Sequence, residues 1–419
     1  MRIERLGDLG SADDVLRAVA AGARLHRLPP PAALIGEWFA SAAVIAPSVG
    51  VQPVDAGGVF PESPGLRPPP AFPDAVGGGW IGYLSYPDPG TNDAPPRIPE
   101  AAGGWTDTVL RCDRSGRWWF ESLSGNALPE WLSAALAVPP IRHRCTIAWT
   151  GPDAAEHRAG VLSCLEAIRA GEVYQACVCT AFNGTVSGSP LDFFADAVAR
   201  TGPARGAYLA GDWGAVASLS PELFLRRTGT TVSSSPIKGT LPRHAEPGQL
   251  LASAKDVAEN IMIVDLVRND LGRVAVTGSV TVPELLAVYP APGVWHLVST
   301  VCAQVPSDLP VSELLAATFP PASVTGTPKT RARQLLSQWE PQRRGIYCGT
   351  VGLASPVAGC ELNVAIRTVE FDAHSRAVLG VGGGITADSE PDAEWQECLH
   401  KAAPIIDVAQ DSRARRTAS

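Results

Sequence analysis

Two pairs of carboxylates at helical spacing are the first residues in this sequence that could do chemistry together. Asp256 and Glu259 lie three apart within Lys255–Asp270, and Glu394 and Glu397 repeat that spacing near the other end of the chain; residues at i and i+3 share a helix face. If the two faces converge, they make an all-oxygen site for a hard divalent cation such as Mg²⁺, which takes a few carboxylates plus water and a ligand oxygen. Taken singly, each pair also reads as an ordinary solvated acidic face. Lys401 follows Glu397 by one turn, and Arg367 sits among apolar residues in Glu361–Thr368. A cation there needs an anionic partner, either a substrate carboxylate or a structural ion pair. Gly382–Gly384 would let backbone N–H groups approach a carboxylate, or would simply make a turn. Lys238 stands beside Gly239 in the small, apolar stretch Ser233–Arg243. Desolvation there would lower its pKa towards a nucleophilic neutral amine, although a lysine near a turn is otherwise a surface charge.

The elements that must position these groups change character along the chain. Residues 1–150 contain Pro/Gly-rich stretches at Pro61–Pro73 and Pro87–Pro99, which cannot continue a helix or central strand, and aromatic strand-like pieces at Gly79–Tyr86 and Arg117–Glu121. From 151 to 408 the patterns lengthen. They predict helices at Ala154–Ala170, Ala252–Asp270, Val311–Ala317, Lys329–Trp339 and Asp392–Ala409, and strands at Glu172–Phe182, Ala207–Leu219, Glu222–Thr228, Gly349–Ala354, Cys360–Phe371 and Ala377–Val381. The arginine-bearing segment 409–419 reads as a frayed tail. Without a fixed repeat or a sustained βαβ rhythm, an α+β layered fold is expected rather than a Rossmann sheet.

Composition narrows the function. With 45% hydrophobic and 18% charged residues, and no apolar run approaching a membrane span, the chain reads as a globular protein without a bilayer role. A net charge of −8 and the lack of basic clusters argue against nucleic acid. The first residues, with Glu4, Asp8, Asp13 and Asp14, lack a secretory pattern, so a cytoplasmic protein is expected. The nine scattered cysteines, closest at Cys177 and Cys179, have no metal-ligand spacing and read as small buried side chains.

Taken in order, the motifs resemble the chorismate-binding enzyme family. The blocks are Gly171–Gln175, Ser220–Leu225, Pro236–Thr240, Ala258–Arg273, His296–Ser299, Val324–Lys329, Arg344–Tyr347, Ala365–Thr368, Gly382–Ile385 and Glu394–Glu397 with Lys401, and Gly79–Tyr86 adds a looser match. The resemblance implies one large α+β domain of two stacked, roughly orthogonal sheets with flanking helices and the active site between them. It implies Mg²⁺ held by Glu259 and Glu397 with Asp256 and Glu394 around them. It also implies chorismate carboxylates held by Arg367, Tyr347, Lys401, Gly383 and Gly384, with Thr325 and His296 near the ring and Glu222 as the acid that protonates the departing C4 hydroxyl.

Two further residues sort the family's chemistries. Members that use water usually carry a lysine base where this chain has Gln175, and an amide cannot take a proton near neutrality; the resemblance therefore implies ammonia as nucleophile. Members that aminate C2 usually carry Ala where this chain has Lys238, whereas those that aminate C4 carry Lys. The implied path is attack of Lys238 at C2 with loss of the C4 hydroxyl, then ammonia attack at C4. A separate glutamine amidotransferase subunit is expected to supply the ammonia. The alternatives are amination at C2, giving anthranilate or 2-amino-2-deoxyisochorismate, and an inactive chorismate-binding paralogue. Ala176–Cys177 and Ser218–Leu219 depart from the family's usual residues, Val-Asn and Ser-Ser. No Leu-Leu-Glu-Ser motif of tryptophan-inhibited members stands near the N-terminus.

Overall fold

The computed structural model describes residues 1–61, 65–66, 68–88 and 95–409. The expected tail from Asp411, and parts of the two Pro/Gly-rich stretches, lie outside these residues; what is described of those stretches has neither helix nor strand. Among the described residues, all strands pair antiparallel in two sheets, of twelve and ten strands.

The larger sheet runs from Arg2–Gly7 through Trp118–Ser122, Thr108–Asp113, Ser41–Ala46, Ala32–Trp38, Arg205–Gly211, Gly214–Ser220, Thr368–Asp372 and Arg376–Ile385 to Gln175–Ser187. One end of Gln175–Ser187 also pairs with Gly326–Thr327, the other with Thr146–Thr150. The smaller sheet runs Ile237–Pro242, Val294–Gln304, Thr231–Ser235, Leu223–Thr228, Gly359–Asn363, Thr350–Ser355, Gly79–Leu84, Ala101–Thr106, Gln52–Pro53, with Thr281–Ala291 alongside Val294–Gln304. Strands from before and after residue 150 share both sheets, joined where Ala32–Trp38 pairs with Arg205–Gly211 and where Gly79–Leu84 pairs with Thr350–Ser355.

The period-two alternation of a strand explains how one sheet serves two cores. In Ala32–Trp38, Ala33 and Ile35 pack towards the helices Ala12–Leu25 and Pro190–Thr201, whereas Ala32 and Leu34 pack with Ile81, Tyr83 and Val351 of the other sheet. Ile45 and Val44 divide in the same way. A strand buried on both faces reads as a continuous apolar run, and Ala-Ala-Leu-Ile and Ala-Ala-Val-Ile-Ala are such runs.

Several expected elements are cut differently. Ala207–Leu219 is two strands joined by a tight turn, Arg205–Gly211 and Gly214–Ser220. Cys360–Phe371 is also two strands, one in each sheet, and Arg367 lies in the crossing between them rather than in a strand. Gly382–Gly384 is no turn: these residues lie inside strand Arg376–Ile385, paired with Cys177–Cys179. All nine cysteines but Cys302 are buried.

Two strands pass from sheet to sheet together. Gly214–Ser220 pairs with Thr368–Asp372 in the larger sheet, and their continuations Leu223–Thr228 and Gly359–Asn363 pair in the smaller one. At the bend, Leu219 N–H donates to the Arg367 carbonyl (2.9 Å) and Val364 N–H to that of Glu222 (3.0 Å), so the ribbon stays hydrogen-bonded as it crosses. Glu222 sits on one crossing segment and Arg367 on the other.

Candidate active site

The bend fixes the acid and the cation opposite each other. Ser220 Oγ donates to the Val364 carbonyl (2.6 Å) and accepts from Glu222 N–H (3.1 Å), locking the turn that carries Glu222. The carboxyl of Glu222 is buried, and burial pushes its pKa up to about 6, against a weaker lowering by the Ser323 hydroxyl and the Lys238 charge. Arg367 adopts a left-handed backbone (φ 51°), uncommon for a non-glycine residue. Its guanidinium is half-buried and, among the described residues, no carboxylate lies within ion-pair distance of it. A desolvated cation without a counter-ion is a receptor for an external carboxylate.

The glycine strand closes the floor. A Cβ on Gly384 would lie 3.3 Å from Lys238 Nζ, 3.4 Å from Gln175 Oε1 and 3.7 Å from Glu259 Oε2; one on Gly383 would lie 3.0 Å from Glu394 Oε2, 3.7 Å from Glu397 Oε1 and 3.9 Å from Lys401 Nζ. Six of the residues expected from the sequence therefore meet over two positions that need to lack side chains. Gln175 is fully buried with neither amide atom hydrogen-bonded, an arrangement that costs free energy unless a ligand completes it.

Helix Ala254–Gly272 presents Glu259, Asn260, Ile263, Val267, Asp270 and Leu271 on its buried face. It is anchored at both ends. Asn260 accepts from Ser299 Oγ (2.5 Å) and donates to the Leu297 carbonyl (3.2 Å), fastening it to the strand of His296. Asp270 accepts from Lys329 (2.6 Å), which also donates to the Thr318 and Pro320 carbonyls (2.9 Å each). Asp256 packs against Gly239, whose Cβ would meet it at 3.1 Å, so it lies beside the lysine-bearing strand. Helix Pro391–Ala409 buries Glu394, where Ser389 donates to it (2.6 Å), and leaves Glu397 at the solvent margin, paired with Lys401 (2.6 Å). Burial acts to raise Glu397, but the Lys401 charge and hydrogen bond outweigh it and hold its pKa low. Lys401 also donates to the Gly382 carbonyl (2.8 Å).

One expectation changes. Burial does act to lower the Lys238 pKa, but the neighbouring Cys177, Glu259 and Glu222 more than offset it, and the net direction is upward. Lys238 is thus held towards its ammonium form. No cluster of three or more acidic, histidine or cysteine side chains among the described residues is arranged to hold a metal ion.

The remaining expected residues line the same region. His296 is buried, shares a hydrogen bond with Thr240 through Nδ1 (2.9 Å) and leaves Nε2 unpartnered; burial and the nearby Arg367 push its pKa down to about 4, so it is neutral. Thr325 is fully buried, with its hydroxyl donating to the Pro321 carbonyl (2.8 Å). The Tyr347 ring is where a Gly380 side chain would have to go, and burial raises its phenol pKa.

Sequence reading missed the group that ties these segments together. Arg344 donates to Glu340 through two nitrogens (2.8 and 2.6 Å), to the Val324 carbonyl (2.8 Å) and to the Cys177 carbonyl (2.6 Å), and lies over the Tyr86 ring. Glu340 also accepts from Cys179 N–H (3.0 Å). The Glu340–Arg344 spacing of i, i+4 was visible, but the backbone partners were not.

A family model described as chorismate binding enzyme matches residues 62–407, across the whole of this site. The chain belongs to the chorismate binding enzyme family. This family member is 43% identical over 248 residues to aminodeoxychorismate synthase component 1 of Escherichia coli (strain K12), covering 58% of this chain and 54% of that one. It is 39% identical over 329 residues to the component 1 of Klebsiella aerogenes, covering 76% and 72%. The crystal structure of anthranilate synthase component I from Streptococcus pneumoniae shares the fold, with a TM-score of 0.71 at 22% identity over 97% of this chain and 92% of that one.

Proposed function

We propose that this chorismate binding enzyme catalyses the amination of chorismate at C4, as the ammonia-using component of an aminodeoxychorismate synthase. The observation that carries this reading is Lys238, enclosed beside Gly384 and Gln175 with Glu222 and Glu259 around its charge. A lysine at the floor of the pocket supports covalent catalysis, in which one difficult displacement becomes two easier ones. Component 1 names among the relatives support the same assignment.

Chorismate's carboxylates bind against Arg367 and the Gly383–Gly384 strand, which brings the ring over Lys238. Lys238 passes its ammonium proton to the neighbouring Glu222 carboxylate; Glu222 gives that proton to the C4 hydroxyl as the freed Lys238 amine forms a bond to C2, the two ring double bonds shift and water leaves. Ammonia then bonds to C4, the double bonds shift back and the C2–nitrogen bond breaks, and the proton lost by the new C4 ammonium returns Lys238 to its ammonium form. The sum is chorismate and ammonia to 4-amino-4-deoxychorismate and water. Gln175 takes no proton, so its amide orients the nucleophile without activating water.

Glu259 and Glu397, with Glu394 and Asp256 beside them, would hold Mg²⁺, and the donor set is all carboxylate oxygen around a strand with no side chains in the way. Such an ion supplies positive charge that fixes a ring carboxylate. A separate glutamine amidotransferase is the proposed ammonia source, and the cytoplasm the proposed location; no helix among the described residues is long and apolar enough to cross a membrane. Incubation of the purified chain with chorismate, Mg²⁺ and ammonium tests the reading: it yields the C4-aminated product, whereas anthranilate or isochorismate would refute it.

A further inference from the structure

Two acidic residues of this site, Glu259 and Glu394, are bridged by an internal cation. Lys255 Nζ lies 3.3 Å from Glu394 Oε1, as a hydrogen bond, and 3.9 Å from Glu259 Oε1. It thus links the first turn of helix Ala254–Gly272 to helix Pro391–Ala409. Glu259 and Glu394 both lie within 3.9 Å of this one ammonium, and like charges so placed repel unless a cation stands between them. In the ligand-free chain Lys255 supplies part of that charge.

Lys255 and Lys401 differ in how they are held. Lys401 is anchored to the Gly382 carbonyl as well as to Glu397, and so belongs to the wall of the site. Lys255 makes its polar contacts with the two carboxylates, and its side chain is 41% exposed, leaving a path into solvent.

We propose that Lys255 is a displaceable counter-cation: it holds Glu259 and Glu394 when no divalent ion is bound, and must give them up for the ion to enter, so it sets the ion's affinity. This rests on the reading that these carboxylates hold Mg²⁺. Loading then exchanges a tethered monovalent charge for a divalent one, and the site is weaker and more readily emptied than its carboxylate count implies.

Calorimetric titration of the full chain with Mg²⁺ alone, without chorismate, tests this in the parent, Lys255→Met and Lys255→Arg. Methionine keeps the aliphatic stem and removes the charge; arginine keeps the charge. The expected result is Mg²⁺ binding about tenfold or more tighter in Lys255→Met and close to the parent in Lys255→Arg, by the Coulomb repulsion removed. Thermal melts give a second readout: without metal, Lys255→Met melts lower than the parent, and Mg²⁺ raises its Tm by more. Unchanged or weakened affinity in Lys255→Met overturns the proposal, as does an equal gain in Lys255→Arg. If neither parent nor Lys255→Met binds Mg²⁺, the metal reading itself fails; if the parent binds it and the variants do not differ, only the role of Lys255 fails.

Discussion

At the scale of single residues, burial decides protonation in opposite senses for two groups. Glu222 is kept protonated to about pH 6, which suits a proton donor. Glu222→Gln removes the proton but keeps the shape, and is expected to lower kcat by about 10²- to 10⁴-fold with a much smaller change in chorismate KM; steady-state kinetics on the folded variant check this, and a loss confined to KM would remove Glu222 from the acid role. His296 is depressed to about 4 from an ordinary 6.5. The unfolded chain therefore binds more protons between these values, and the stability contribution of neutral His296, present in full above pH 6.5, declines as pH falls towards 4. The expected cost is on the order of 3 kcal/mol by pH 4. Denaturant midpoints from pH 7 to 5 should fall more steeply for the parent than for His296→Asn. The identities of these groups were legible from motif order, but the upward shift of Lys238 was not. Ser233–Arg243 shows a lysine among small residues, whereas Glu259, which helps hold the charge, comes from a helix beyond that strand.

At the scale of elements, the ribbon that crosses between sheets and the glycine strand do most of the positioning. The sequence shows Cys360–Phe371 as one strand-like segment with polar and apolar residues mixed along its length, and nothing in that pattern marks the change of sheet at Val364–Arg367. Gly382–Gly384 was likewise ambiguous, since glycine is depleted in strands and turns are its commoner setting. The crowding over this strand predicts that Gly384→Ala, placing a methyl 3.3 Å from Lys238 and 3.4 Å from Gln175, lowers turnover by roughly 10²-fold through misplaced reacting groups, with little change in Tm. Loss of stability equal to that of a core variant would make Gly384 structural instead. The Glu340–Arg344 pair is buried and shared by three segments, so Glu340→Ala, which strands the guanidinium, is expected to cost about 3–5 kcal/mol in denaturant unfolding.

At the scale of the molecule, an α+β layered fold followed from the irregular mixture of helix and strand patterns, and the two stacked antiparallel sheets bear it out. The long-range strand order was not legible: Ala32–Trp38 lies beside Arg205–Gly211 across 160 or more residues, and alternation says which face is buried but not against what. The proposed reaction needs ammonia, and the Gln175 amide takes no proton from water near neutrality. Glutamine as sole nitrogen source is therefore expected to give no product with the chain alone. Ammonium should support product at a rate that rises with pH as its neutral fraction grows, until Glu222 loses its proton in the bound state.

The most direct measurement of the central claim is the identity of the product made from chorismate, Mg²⁺ and ammonium by the parent and by Lys238→Ala, separated by chromatography and identified by mass. The account predicts 4-amino-4-deoxychorismate from the parent and its loss, or diversion to amination at C2, in the variant. Undiminished C4 amination by Lys238→Ala, or anthranilate from the parent, would contradict it.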